Sequence, residues 1–83
     1  MKRKDITPYN EQGELHGYWE SYYDNGQLWY KGNYVNDNRD GYWESYFSNG
    51  KLFYKGNYVN DKEHGYWEYY WSDGELKEKT YYI

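Results

Sequence analysis

The chain is dominated by a sequence that recurs every 24 residues, with Gly17, Gly41 and Gly65 at the start of three equivalent copies. The residue type is the same in all three copies at these aligned positions: Tyr18, Tyr42 and Tyr66; Trp19, Trp43 and Trp67; Glu20, Glu44 and Glu68; Tyr22, Tyr46 and Tyr70; Leu28, Leu52 and Leu76; Lys31, Lys55 and Lys79. A fixed period of this length is the signature of a repeat protein, in which each unit buries its apolar face only against its neighbours.

Each copy carries the pattern of a β-hairpin. A dipeptide that favours a tight turn lies in the middle of each copy, and the three dipeptides are Asn25-Gly26, Asn49-Gly50 and Asp73-Gly74. The flanking runs are rich in Tyr, Trp, Phe and Val, which suit a pleated sheet. The predicted strand pairs are Gly17–Tyr23 with Gln27–Val35, Gly41–Phe47 with Lys51–Val59, and Gly65–Trp71 with Glu75–Ile83. We expect the segments Asn36–Asp40 and Asn60–His64 to be loops.

These hairpins predict an all-β fold, namely a single-layer twisted antiparallel β-meander in one domain over residues 1–83. The expected units are residues 17–40, 41–64 and 65–83, preceded by a half-repeat over residues 6–16. In that half-repeat Ile6–Tyr9 is predicted as a short strand, which Pro8 confines to an edge or a strand end. In the last copy the charged segment Lys77–Lys79 is expected to protect the edge of the sheet from pairing with other chains.

Two types of turn would lead to different strand pairings. A two-residue loop at Asn25-Gly26 sets Glu20 opposite Lys31, and it equally opposes Glu44 to Lys55 and Glu68 to Lys79. A three-residue turn with a bulge at Gly26 would instead place Tyr22 opposite Leu28. We prefer the two-residue loop because it separates the two faces of the sheet better. One face then carries Trp19, Ser21, Tyr23, Leu28, Tyr30 and Gly32, and the other carries Tyr18, Glu20, Tyr22, Trp29, Lys31 and Asn33.

Composition decides what the core is made of. Aromatic residues make up 27% of the chain, with 15 Tyr and 5 Trp, so the core must be built largely from rings. The absence of Cys excludes disulfides and thiol chemistry, and it fits a reducing compartment. The sequence contains no apolar run long enough for a membrane span and no secretory signal pattern. We therefore expect a cytoplasmic protein that does not bind membranes.

Nothing in the pattern predicts an enzyme or a cofactor. Glu20 and its equivalents recur once per repeat, as structural residues do, and their lysine partners account for them. His16 and His64 precede equivalent glycines and lack the spacing of metal ligands. The net charge of −4 argues against nucleic-acid binding, which requires clustered Lys and Arg.

The aromatic residues instead favour protein binding. A single sheet cannot bury rings on both faces by itself, and Tyr and Trp are the residues most enriched at the centres of protein interfaces. If Trp19 and its neighbours pack inward, the residues left for a partner are Tyr18, Tyr22, Trp29, Tyr42, Tyr46, Phe53, Tyr66 and Tyr70. The unpaired edges of the first and last strands also allow a homodimer.

The pattern G-Y-W-E-x-Y-[YFW]-x-N-G-x-L-x-Y-K-G-N-Y-V-N-D resembles the variant MORN repeat, as found in bacterial proteins labelled YwqK-type antitoxins. The resemblance covers about residues 9–83. It implies an antiparallel β-meander that acts as a scaffold or binding surface, and the antitoxin label implies neutralisation of a partner by contact. It offers no catalytic residue.

The function expected from the sequence is therefore a non-enzymatic inhibitor that binds a protein, such as a toxin or a component of a defence system. A self-assembling scaffold and a protein that sequesters a small ligand or nucleotide are the alternatives.

Overall fold

The computed structural model describes residues 8–83 and places them in one open sheet. The six strands are β1 (Gly17–Tyr22), β2 (Leu28–Val35), β3 (Asn38–Tyr46), β4 (Leu52–Val59), β5 (Lys62–Tyr70) and β6 (Leu76–Tyr82). They are antiparallel and lie in chain order, so the sheet is a meander. The sheet forms a single layer, about 10 Å thick and 41 Å across in the other two directions. The all-β class is confirmed, and the described residues contain no helix.

The turn within each hairpin has three residues, so the preferred two-residue loop is wrong at the turn itself. The Tyr23 amide donates to the Gln27 carbonyl at 2.8 Å, and the Gly26 amide donates to the Tyr23 carbonyl at 3.0 Å. Gly26 has a φ of 91°, which a side chain would oppose. The Asn25 side chain accepts a hydrogen bond from the Gln27 amide at 2.9 Å and so fixes the turn.

A β-bulge next to this turn restores the predicted pairing along the rest of the hairpin. Tyr22 pairs with Leu28, as the three-residue turn requires, whereas Ser21 pairs with Tyr30. Trp29 is the extra residue on β2. Beyond the bulge Glu20 lies opposite Lys31, as the two-residue loop predicted, and the other two hairpins repeat the arrangement. Each alternative is therefore right for one part of the hairpin.

The segments between hairpins are tight turns, and their prediction as five-residue loops is wrong. Asn36 and Asp37 both have positive φ, at 49° and 73°, and Val35 pairs with Asn38 across them. Such a two-residue turn matches the twist of the flanking strands, and Asn and Asp tolerate its backbone conformation. Strand β3 therefore begins at Asn38, and the same geometry recurs at Asn60 and Asp61. The result is that neighbouring repeats join into one continuous sheet.

The core lies on one face of the sheet and consists of rings. Its buried apolar residues are Trp43, Tyr58 and Trp67. The indole of Trp43 covers Gly32 on the preceding strand, and its Nε1 donates to the Asn33 carbonyl at 3.0 Å. Each tryptophan after the first therefore packs on a glycine of the repeat before it, which is how the units stabilise one another.

Two predictions concern the ends of the sheet. Of the predicted strand Ile6–Tyr9, residues 6 and 7 lie outside the described residues, and Tyr9 forms a single bridge with Leu15. At the other end β6 is the last strand of the sheet, and Lys77–Lys79 is exposed along it. Charged side chains on an edge strand disfavour pairing with another chain.

Candidate binding surfaces

One face of the sheet, which we call the tyrosine face, carries tyrosine hydroxyls bonded to glutamates. In the first repeat Tyr18 and Tyr22 donate to the two carboxylate oxygens of Glu20, each at 2.7 Å. In the second repeat Tyr42 and Tyr46 bond Glu44 in the same way. In the third repeat Tyr70 donates to Glu68. Residues two apart on a strand point to the same side, so the alternating Tyr-x-Glu-x-Tyr pattern produces this arrangement. These residues comprise the tyrosine face: Tyr18, Glu20, Tyr22, Lys31, Tyr42, Glu44, Tyr46, Lys55, Tyr66, Glu68, Tyr70 and Lys79.

Lysines connect these glutamates between repeats. Lys31 Nζ lies 3.4 Å from Glu44, and Lys55 Nζ lies 3.4 Å from Glu68. Both lysines lie opposite the glutamate of their own hairpin, yet each forms its ion pair with the glutamate of the following repeat. Lys79, on the last strand, pairs with Glu68 of its own hairpin at 3.9 Å. The ion pairs thus add to the contacts that hold neighbouring repeats in register.

The hydrogen bonds between tyrosines and glutamates shift the pKa values of both partners. Those from Tyr22 and Tyr18 hold the pKa of Glu20 below its ordinary value, and that from Tyr70 does the same for Glu68. Burial, aided by the hydrogen bond to Glu44, raises the pKa of Tyr46 to about 12. The glutamates are therefore anionic and the tyrosines neutral at pH 7. Their chemistry is that of a fixed polar network.

The first tyrosine of each repeat remains exposed on the tyrosine face. Tyr18, Tyr42 and Tyr66 are 41%, 48% and 75% exposed, and they occupy equivalent positions. Tyr66 also contacts Tyr81, an exposed ring opposite it on β6, with ring centroids 4.6 Å apart. The second tyrosine of each repeat is half-buried. Of the eight residues predicted to bind a partner, the six tyrosines therefore share one face, and the structure does not test their role.

The other two predicted residues, Trp29 and Phe53, do not lie with them. The Trp29 ring contacts the ring of its neighbour Tyr30 edge-on, with centroids 4.9 Å apart, and the Tyr23 ring at 5.6 Å. Adjacent residues of a regular strand point to opposite faces, but the bulge turns both to the same side. Phe53 contacts Tyr54 in the same way, at 5.1 Å. The face assignment of Trp29 and Phe53 was therefore wrong because the sequence did not reveal the bulge.

The opposite side, which we call the tryptophan face, carries a nearly continuous set of ring contacts. It consists of Trp19, Tyr30, Tyr34, Trp43, Tyr54, Tyr58, Trp67, Tyr69 and Tyr82. Along it Tyr34 meets Trp43 edge-on at 5.1 Å, and Tyr58 meets Trp67 at 4.9 Å. Edge-to-face packing of this kind stabilises a core that contains few aliphatic side chains.

A groove of about 430 Å³ opens on the tryptophan face between the first and second repeats. It is lined by Leu15, Tyr30, Tyr34, Asp37, Arg39, Trp43, Tyr54 and Asp61. The groove was not predicted from the sequence, because its charged residues lie at or next to the turns between repeats. A signal was present, since Leu15, Arg39 and Glu63 differ in type at equivalent positions of an otherwise regular repeat.

The remaining candidates, the histidines considered as metal ligands, take part in contacts of the sheet. His16 Nδ1 accepts a hydrogen bond from the Asn36 amide at 3.3 Å, and His64 pairs with Asn57 in the sheet. Among residues 8–83, no group of three or more His, Cys, Asp or Glu side chains is placed to hold a metal ion. That part of the chain also has no helix long and apolar enough to cross a membrane.

The chain matches the MORN repeat variant at residues 15–36, 39–60 and 63–83, which together account for most of its length. The chain belongs to the MORN repeat variant family. Repeats of this family commonly act as binding modules for proteins or membranes. The match extends to the repeat only, so the YwqK-type antitoxin assignment stays a prediction. No curated protein and no solved structure matches the chain significantly.

Proposed function

We propose that this MORN repeat protein is a non-enzymatic binding module that neutralises a partner protein by direct contact through its tyrosine face. The mode of action is that of an antitoxin, an immunity protein or a phage-encoded inhibitor of a host defence system. The observation that supports the proposal most is the row of exposed rings at Tyr18, Tyr42 and Tyr66, one in each repeat. Exposed tyrosines on a rigid sheet provide apolar contact area that costs little conformational entropy to bind.

The polar groups of this face also favour burial in an interface. The carboxylate of Glu44 already accepts hydrogen bonds from two tyrosines and pairs with Lys31. If a partner covers this carboxylate, its negative charge is therefore still balanced by Lys31. Since the tyrosines of these networks are held by their hydroxyls, their rings lose little freedom on binding.

Affinity capture from cell lysate tests the proposal. The bait proteins are the native chain, a triple variant Tyr18→Ser, Tyr42→Ser and Tyr66→Ser, and a matched control, Trp71→Ser, which removes an exposed ring at the turn end of β5. We expect the native chain and the control to retain the same partner and the triple variant to lose it. Partner capture that is unaffected by the triple substitution would contradict the use of this face.

Inhibition is tested with the captured partner once mass spectrometry has identified it. Its activity should fall to background at about one equivalent of the native chain and should be retained with the triple variant. A partner that binds with full activity would support a scaffold instead. If light scattering finds only a homo-oligomer, the self-assembling alternative is favoured, and a nucleotide that raises the melting temperature would favour sequestration of a small ligand.

A further inference from the structure

The two boundaries between repeats, at the turns Asn36-Asp37 and Asn60-Asp61, contain the same pair of hydrogen bonds. At the second boundary the Arg39 amide donates to Asp61 Oδ1 at 3.2 Å, and the Asp61 amide donates to the Arg39 carbonyl at 2.9 Å. At the first boundary the Leu15 amide donates to Asp37 Oδ1 at 2.7 Å, and the Asp37 amide donates to the Leu15 carbonyl at 2.8 Å. The two boundaries therefore have equivalent backbones, with Leu15 in the place of Arg39.

The second boundary also contains a binding site for a guanidinium group, and the Arg39 side chain occupies that site. Arg39 Nε lies 2.5 Å from Asp61 Oδ1, and its Nη1 donates to the Tyr58 hydroxyl at 3.0 Å. The guanidinium carbon lies 4.2 Å from the centre of the Tyr58 ring. A carboxylate, a hydroxyl and a ring face are the groups that a planar guanidinium binds best.

At the first boundary the tyrosine and the aspartate that would bind a guanidinium are present, but a leucine occupies the position of the arginine. Tyr34 and Asp37 are the equivalents of Tyr58 and Asp61, and both line the groove. Leu15 supplies no charge, and among residues 8–83 no ion pair involves Asp37. The rings of Tyr30 and Trp43 line the groove as well, and their centroids are 5.8 Å apart. The groove thus combines four rings with a carboxylate that has no ion-pair partner within residues 8–83, whereas Asp61 is neutralised by Arg39.

We propose that the groove at Leu15, Tyr34 and Asp37 binds an arginine side chain of a partner protein. The occupant takes the position that Arg39 takes at the second boundary, with its guanidinium on Asp37 and over the Tyr34 ring. Arg39 also lines the groove, but it is paired with Asp61, so Asp37 gives the groove a net negative charge. That charge and the chain's net charge of −4 favour a cation and oppose phosphate-bearing ligands. The groove and the tyrosine face lie on opposite sides of one sheet, so this site goes beyond the proposed function and does not depend on it.

The test is a titration of the full chain with the peptide acetyl-Gly-Arg-Gly-amide, followed by the NMR shifts of the backbone amides. The matched probe replaces arginine with citrulline, which has the same shape and no charge. We expect the arginine peptide to shift the Leu15 and Asp37 amides and the citrulline peptide to bind at least about tenfold more weakly, because charge-assisted hydrogen bonds are about twice as strong as neutral ones.

Two variants locate the site. Asp37→Asn keeps the acceptor for the Leu15 amide and a residue that tolerates positive φ, and it should weaken peptide binding about tenfold. Leu15→Arg places a guanidinium of the chain itself in the groove, so it should abolish binding while raising the melting temperature. Asp73→Asn is the control, since it makes the same change of charge in a turn where the other repeats have Asn, and it should leave binding unchanged.

Several outcomes would overturn the proposal. These are equal binding of the citrulline peptide, unchanged binding by Asp37→Asn, and stronger binding of spermidine, which would assign the groove to a free polyamine. A gain in affinity on Arg3→Gln would assign the groove to the chain's own amino-terminal residues. Because the readout is a defined peptide, the two proposals can fail independently. A negative peptide titration does not contradict the use of the tyrosine face, and loss of the captured partner does not contradict the groove.

Discussion

The indole ring of Trp67 lies directly over Gly56 on the neighbouring strand. A methyl group on Gly56 would come within 2.2 Å of the ring, and Trp43 covers Gly32 at the same distance. In both cases the indole Nε1 donates to the carbonyl of the residue after the glycine, Asn33 or Asn57. This contact between tryptophan and glycine joins each repeat to the one before it, and the buried tryptophans form the centre of the core.

The first prediction concerns this contact. Gly56→Ala should lower the free energy of unfolding by about 1–3 kcal/mol, because the added methyl group forces the buried Trp67 ring to move. Urea denaturation of the variant and the native chain measures the difference. The control is Thr80→Ala at the equivalent position of β6, the last strand, which should change the stability by less than about 1 kcal/mol. Equal effects of the two substitutions would contradict the packing described.

The second prediction compares two rings of the second repeat. Trp43→Ala should destabilise the fold by about 3–5 kcal/mol, because it leaves a cavity at a buried site. Phe53→Ala should cost about 1–2 kcal/mol, because that ring is 37% exposed and contacts Phe47 and Tyr54 at the rim. Thermal unfolding followed by circular dichroism ranks the two variants. If Phe53→Ala is the more damaging substitution, the centre of the core does not lie at Trp43.

The third prediction is a loss of stability in alkali. The folded chain holds the Tyr46 proton to a pKa of about 12, whereas an unfolded tyrosine titrates near 10. Above about pH 10 the unfolded chain therefore binds fewer protons than the folded chain, so the free energy of unfolding falls as pH rises from about 10 through about 12. Below about pH 10 this contribution is fully present.

Urea denaturation at about pH 9, 10 and 11 measures this slope. Tyr46→Phe has no phenol proton to lose, so its stability should fall less steeply than that of the native chain. Tyr9→Phe is the control, because that ring is exposed outside the network. Identical slopes for all three proteins would contradict the raised pKa of Tyr46.

The fourth prediction tests the turns between repeats. Asn60 has a φ of 51°, so Asn60→Val should destabilise the fold by about 1–2 kcal/mol, since a β-branched residue resists that backbone conformation. Asn60→Gly should be neutral or slightly stabilising. The melting temperatures of the two variants give the comparison, and a well-tolerated valine would show that this segment is a longer loop.

The repeat made most of the fold predictable, and the errors arose where the chain departs from regular strand geometry. Equivalent spacing of Trp, Gly and Lys revealed the number of hairpins and the pairing of Glu20 with Lys31. The bulges at Trp29 and Phe53 were not predictable because nothing in the residue type marks an extra residue, and each bulge changed the face of the site residue predicted there. The turn at Asn36 and Asp37 was missed although both residues tolerate positive φ.

The groove could not be predicted from any single copy of the repeat. Arg39 and Asp61 are 22 residues apart and belong to different repeats, so their contact follows only from the way repeats join. The comparison that would have found it is between the copies themselves, because Leu15 and Arg39 occupy one position with opposite chemical character. In a repeat protein the positions that vary between copies are thus the informative ones for a local site.

Hydroxyl-radical footprinting of the complex with the captured partner tests whether the tyrosine face is the binding surface. We expect the oxidation of Tyr18, Tyr42 and Tyr66 to fall several-fold on binding, while Trp71, an exposed ring at the turn end, is oxidised at the same rate with and without partner. Unchanged oxidation of these three tyrosines in a complex that protects other exposed rings would contradict the assignment of the tyrosine face as the binding surface.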